Sequence, residues 1–223
     1  MQKILQLLQN YVIRFSNLYR TITEYIFKMA KPLNGSEILE HLKMLADWIR
    51  VKHPDEHFEL VVVGGAAMAI LGFKDQTTDI DVLRPEVLPE AIINGMANIG
   101  KIRRLGSGWL NSNLGYMLMK TRGSVELPEY FNEVSRIIEV GKNLKISLIG
   151  RQALISLKLH AATPSYSKHT TDINQLEPDI SEIIEAVRFV LSLDSTDVRK
   201  DDLRVVLKDL GFDFDDIYEK INK

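Results

Sequence analysis

Cysteine is absent from the 223 residues, so disulfides and thiolate metal sites are excluded. The absence also fits a reducing compartment. There is no excess of one charge: 28 Lys and Arg stand against 30 Asp and Glu, a net charge of -2. A globally basic nucleic-acid binder is thereby excluded, although a local basic patch is not. No uncharged apolar run approaches the ~20 residues that a membrane span requires. Residues 4–13 lean apolar but carry Gln6, Gln9 and Asn10 and lack a small-residue cleavage site. The chain therefore reads as cytoplasmic, with no membrane association. Internal repeats and low-complexity tracts are missing as well, which excludes solenoids and linker-like proteins. With 45% hydrophobic and 26% charged residues, the composition is that of an ordinary folded protein, long enough for a real core.

Apolar spacing divides the chain into three parts: an N-terminal helix and linker (1–33), an α+β core (34–163) and a helical C-terminal region (164–223). In the first, Ile4, Leu8, Tyr11, Phe15, Leu18, Ile22 and Tyr25 recur at helical intervals and form one apolar stripe. Such an amphipathic helix docks on its own domain or on a partner, and Met29 offers an alternative start. Asn34 followed by Glu37 has the form of a capping box and opens a helix over 36–52 that buries Ile38, Leu42, Leu45 and Ile49. His53-Pro54-Asp55 ends it. Phe58 to Val63 is a near-continuous apolar run, as expected of a strand buried on both faces. A short helix over 66–71 and a strand over 80–83 follow. Further on, the pattern predicts a helix near 87–98, a glycine-rich loop at 106–108, strands at 116–120 and 144–149 with a helix near 128–137 between them, and a helix over 151–162. The tail predicts helices over 179–191, 201–209 and 214–221.

The chemistry concentrates between residues 62 and 82. Val62-Val63-Gly64-Gly65 ends a strand in two glycines and opens a helix, leaving bare backbone N–H groups as an anion site. Thirteen residues later comes Asp79-Ile80-Asp81-Val82. Side chains two apart on a strand share a face, ~6.6 Å apart at Cα. Two bare carboxylates at ~5 Å repel by about 3 kcal/mol at an effective dielectric of about 20, so a cation between them is expected. Oxygen ligands beside a phosphate favour Mg2+ or Mn2+ over zinc. Read separately, the glycines could mark only a tight turn and the acids only a solvated strand end. The glycines form neither a P-loop nor a dinucleotide fingerprint.

Together, strand, Gly-Gly, helix, spacer and Asp-x-Asp resemble the signature of the nucleotidyltransferase fold, the polymerase-β-like superfamily. Thr77-Thr78 ahead of the acids is similar to its small bacterial members. Gly108-Trp109-Leu110-Asn111, the segment Leu154 to Ala162, and Lys168 to Ile173 with Leu176 and Pro178 resemble minimal nucleotidyltransferases and AbiEii-type toxins of toxin–antitoxin and phage-defence modules. The likeness covers about residues 36–210. It implies an α+β fold with a mixed β-sheet flanked by helices. It further implies metal binding by Asp79 and Asp81, and nucleotide binding by Gly64, Gly65, Asn111, Lys158 and Asp172. An NTP would be the substrate, a protein or tRNA hydroxyl the acceptor, and an antitoxin-like protein a partner. Two departures stand out. Ser112 occupies a position where an acid is expected, and no third catalytic aspartate falls on a later strand, Glu126 being only a distant substitute.

Bland readings accompany the implied roles. Lys158 could snorkel at a helix edge, and Asp172 could be a helix N-cap. His53 and His57 have metal-like spacing but straddle Pro54, which makes them loop residues. Lys101, Arg103, Arg104, Lys120 and Arg122 form a basic cluster that could hold RNA phosphates or simply a solvated face. Asp213, Asp215 and Asp216 lack the remainder of a calcium loop. The favoured expectation is NMP transfer from an NTP to a hydroxyl. The alternatives are a nucleotide- or partner-binding module of the same fold without turnover and, less favoured, a metal-dependent phosphodiesterase.

Overall fold

A computed structural model describes residues 31–222 apart from 122–125 and 166. The helix expected over residues 1–30, with Met29, and Arg122 of the basic cluster lie outside the described residues.

The chain enters through Leu33, whose backbone pairs with Thr77 in both directions (N–H to O 2.7 and 2.9 Å). Helix α1 (Gly35–Lys52) starts with the expected capping box: Asn34 accepts from the Glu37 N–H at 2.9 Å, and Glu37 accepts from the Asn34 N–H at 3.0 Å. Two of the orphan donors of the first turn are thus satisfied. Strand β1 (Phe58–Val63) runs directly into α2 (Gly64–Leu71), and β2 (Ile80–Arg84) follows. Next come α3 (Glu90–Arg103), the two-residue β3 (Leu110–Asn111) and α4 (Asn113–Thr121). A 3-10 turn (Glu129–Asn132) leads into the hairpin of β4 (Val134–Gly141) and β5 (Leu144–Ile149). Five helices complete the chain: α5 (Arg151–Ala161), α6 (Ser167–Leu176), α7 (Ile180–Leu193), α8 (Asp197–Asp209) and α9 (Phe214–Ile221).

The five strands form one mixed sheet in the order β3-β2-β1-β5-β4. β1 is antiparallel to β2 and parallel to β5, β2 is parallel to β3, and β4 is antiparallel to β5. The fold is therefore α+β, a mixed sheet flanked by helices, as expected. The central strands are fully covered: Leu60, Val62, Val63, Ile146, Leu148 and Ile149 are wholly buried, which accounts for their unbroken apolar sequences.

Two expected elements are corrected. Tyr116 to Lys120 is helical, within α4, not a strand. Leu118 is buried one turn from the partly buried Leu114, a period of four that a strand does not have. Gly115 lets the helix approach β2, since a Cβ there would lie 2.3 Å from the Leu83 carbonyl oxygen. The helix expected near 128–137 is instead a single 3-10 turn after Pro128, followed by β4. Val134, Ile137, Ile138 and Val140 are β-branched and suit a strand. Asn143 fixes the hairpin by donating to the carbonyls of Pro54 (2.9 Å) and Glu56 (2.7 Å).

The C-terminal helices brace α5. Arg199 is buried and donates to the carbonyls of Leu159, His160 and Ala162 at 2.9 to 3.0 Å, satisfying the orphan acceptors at the end of α5. Arg151 at the start of α5 pairs with Glu182 of α7 at 2.7 Å. Both ends of α5 are thereby fixed. Asp213 accepts from the Asp216 N–H as the cap of α9, a structural role for that acidic cluster. No described helix is long and apolar enough to cross a membrane.

Candidate functional site

The turn from β1 to α2 contains no loop residue. Val63 caps α2 without a side-chain acceptor, so the first N–H groups of the helix are open to a ligand. Gly64 has φ +66°, a left-handed value that favours glycine. A Cβ on Gly64 would lie 3.0 Å from Asp81 Oδ2, and one on Gly65 would lie 2.5 Å from Thr77 Oγ1. The two glycines therefore do more than turn the chain: they let backbone approach the residues that face it. Pairing of Val63 with Asp81 across the β1–β2 register produces this arrangement. The Leu33 bridge holds Thr77 in place from the other side.

Asp79 lies immediately before β2, and Asp81 is its second residue; both are half-buried. Thr78 Oγ1 donates to Asp79 Oδ1 at 3.4 Å. Asn111, the register partner of Asp81 on β3, brings its side-chain amide to the same edge and favours the charged form of the Asp81 carboxyl. Burial, and then the charge of Asp79, push Asp81 up to about 6, against the opposing pull of Asn111, Lys158 and Lys168. Among the described residues, neither carboxylate has a lysine or arginine within ion-pair distance.

A second charged cluster adjoins the first. Lys158 of α5 is 6% exposed and Asp172 of α6 only 1%. Lys158 Nζ donates to Asp172 Oδ2 at 2.5 Å, and Lys74, from the loop after α2, donates to Oδ1. Burial alone would raise Asp172, but Lys158 and then Lys74 hold it below the usual carboxylate range. Burial lowers Lys158, with Asp172 opposing. His169 is pushed down to about 4 by burial and by Lys158 and Lys168, so it is neutral near pH 7. The bland readings of this pair are thereby replaced. Lys158 is buried and paired, not snorkelling, and Asp172 lies inside α6, not at its N-cap. Residues 167–172 carry no apolar side chain, so within the expected helical region α6 has no pattern of its own that would mark its start.

Gly64, Gly65, Asp79, Asp81, Asn111, Lys158 and Asp172 thus fall in one region, linked by register, hydrogen bonds or through-space charge. Lys74 joins them although nothing in its sequence context points to it; only the return of the chain after α2 places it against Asp172. Other candidates fall elsewhere. Glu126 is exposed, in the stretch before the 3-10 turn. His53 ends α1 and contacts Glu56 at 2.7 Å. Of the basic cluster, Arg103 pairs with Glu40 of α1, while Lys101, Arg104 and Lys120 are exposed. β5, the parallel neighbour of β1, carries Leu148 and Ile149 at the site end and no acid.

Among the described residues no three His, Cys, Asp or Glu form a metal-binding group. Two carboxylates without a cation, one strongly raised, nevertheless fit a hard divalent ion. Mg2+ is commonly held by one or two carboxylates, with water and substrate phosphates completing the shell. No family model, curated protein or solved structure matches this chain.

Proposed function

We propose that the protein is a metal-dependent nucleotidyltransferase that moves an NMP from an NTP to a hydroxyl. The observation that carries this reading is the uncompensated acid pair facing an uncapped glycine turn, with a buried lysine beside it. Phosphates are bound by the N–H groups of Gly64 and Gly65 at the start of α2. Lys158 adds a positive charge there, and Asp172 orients it and favours its protonated form against the opposing effects of burial and Lys74. Asp79 and Asp81 would hold Mg2+ or Mn2+, which when bound supplies Lewis-acid stabilisation of charge at the α-phosphate. The acceptor oxygen forms a bond to the α-phosphorus, the bond to the α,β-bridging oxygen breaks, pyrophosphate leaves with that electron pair, and the hydroxyl proton passes to solvent water. The sequence resemblance extends the proposal to a toxin–antitoxin or defence setting in the cytoplasm, with a protein or tRNA acceptor and an antitoxin-like partner.

The direct test is incubation with each labelled NTP, Mg2+ and either lysate or total tRNA. Label transfer is expected, and is expected to vanish in the double variant Asp79→Asn, Asp81→Asn. Transfer that survives the double change would remove these residues from the mechanism.

A second reading rests on the absence of an acid at the site end of β5. Without a third carboxylate to take the acceptor proton, the site would bind a nucleotide and not turn it over. Calorimetry separates the two: NTP binding with no product from any acceptor favours the binding module.

A further inference from the structure

On the far side of the acid pair from the lysines lies a cavity of about 450 Å3. Its position follows from the sheet order. Across the sheet come β3 with Asn111, β2 with Asp81, β1 leading to the glycines, and then β5 leading to the lysine helix α5. Asn111 is both a wall of the cavity and the neighbour of Asp81 in register. In an in-line displacement the entering and leaving oxygens lie on opposite sides of the phosphorus. If the glycines and Lys158 hold the leaving pyrophosphate, the entering oxygen comes from the β3 side, where this cavity lies with Asn111 between it and Asp81.

The walls define what fits. Val87, Ile93, Met96 and Tyr116 supply an apolar body, while Asn111 and Ser112 supply hydrogen-bonding groups. Tyr116, 47% exposed, presents an aromatic edge or face. Among the described residues Glu86 is the only charged one in the lining. Lys120 lies 5.4 Å from the centre of the Tyr116 ring but does not line the cavity. A polyanion would meet a carboxylate and apolar side chains here, with no lining cation among the described residues to neutralise it.

We infer that this cavity is the acceptor subsite and that it takes a small hydroxyl-bearing group with an apolar body and no negative charge. The inference rests on the nucleotidyl-transfer reading and specifies its acceptor. The group is either a free small molecule or a side chain of a peptide, and the chemistry is shared. The bond made is from its hydroxyl oxygen to the α-phosphorus, with pyrophosphate leaving and the proton passing to water as above.

The test uses the full chain labelled with 15N and three probes in separate titrations: L-tyrosinamide, Mg-ATP and an oligouridylate. Tyrosinamide is expected to shift the amides of residues 107–116, and Mg-ATP those of 64–67. In a transfer assay, Tyr116→Ala and Ile93→Lys should each lower kcat/KM for tyrosinamide roughly tenfold or more, while Mg-ATP still shifts the amides of 64–67. A tyrosine-containing tripeptide in place of tyrosinamide distinguishes the sources: greater kcat/KM for the tripeptide assigns a peptide side chain, and lesser assigns a free small molecule. Tyrosinamide shifts absent from 107–116, while Mg-ATP binds normally, overturn the inference and leave the nucleotide reading standing. Oligouridylate shifts at 107–116 in their place also overturn it, in favour of an RNA acceptor. Loss of the Mg-ATP shifts at 64–67 would sink the nucleotide reading and this inference with it.

Discussion

Asp172 and Asp81 are both carboxylates withdrawn from water at neighbouring positions, yet they are treated in opposite ways. Asp172 receives one lysine on each oxygen and is held below the usual range despite its burial. Asp81 has no lysine or arginine in ion-pair distance among the described residues, faces a second carboxylate, and is driven up to about 6 by burial and that charge. In the first cluster both oxygens of Asp172 are paired as folded, with one positive charge in excess, so its groups position one another. The second has charge left over, which costs stability unless something from outside neutralises it. Strongly raised carboxylates with a like-charged neighbour gather at functional sites for this reason. The contrast indicates which cluster holds the scaffold and which awaits a ligand.

The largest effect expected is from breaking the paired cluster. Asp172→Ala leaves Lys158 and Lys74 facing each other without an anion, and should cost about 3–5 kcal/mol. At roughly 2–4 °C per kcal/mol for a chain of this size, the melting temperature should fall by about 6–20 °C. A melt within about 2 °C of wild type would mean that the triad is not a structural unit.

Asp81→Asn should act in the opposite direction. The folded value of Asp81, about 6, lies above its ordinary 3.8, so the folded state binds the proton more tightly. Stability from this group is fully present below about pH 4 and is lost as pH rises through about 6. The variant removes that loss, gaining up to about 3 kcal/mol near pH 7.5 and nothing near pH 4. Denaturant melts at the two pH values check it, and a gain independent of pH would discount the carboxylate pair as its source.

Gly64→Ala probes the turn. It forces a side chain into a left-handed backbone and toward Asp81 Oδ2, at a cost of about 1–2 kcal/mol. It should also weaken NTP binding measured by calorimetry, because it narrows the gap between the turn and the acid. Stability loss without any change in affinity would separate the turn from the ligand.

Magnesium sharpens the comparison with the smallest effect. At ten times its dissociation constant an ion stabilises by about 1.4 kcal/mol. That gain should appear at pH 7.5, shrink at pH 5 as protons compete for Asp81, and disappear in Asp79→Asn with Asp81→Asn. The Asp172→Asn variant should retain it. Equal stabilisation of all three proteins would place the ion elsewhere.

Much of this was legible along the chain because it depends on neighbours in sequence. The capping box at Asn34 and Glu37, the buried runs of β1 and β5, the glycine pair and the spacing of the two acids are local patterns. The misread segments are those where local preference and packing disagree. Residues 116–120 are aromatic and apolar enough for a strand, but Gly115 and Leu118 suit a helix lying close over β2. Residues 134–140 could continue a helix until the turn at Lys142 and Asn143 folds them back on β5.

By itself the sequence determined that carboxylates and bare backbone donors would sit at the ends of adjacent buried strands, since strand period and glycine geometry follow from a few residues. Only the tertiary structure decided which charges are paired. Lys74 and Asp172 are 98 positions apart, and Asn111 reaches Asp81 only through the pairing of β3 with β2. The electrostatic state of a buried group depends on what surrounds it in space, and the order of residues along the chain does not specify that until the sheet has formed.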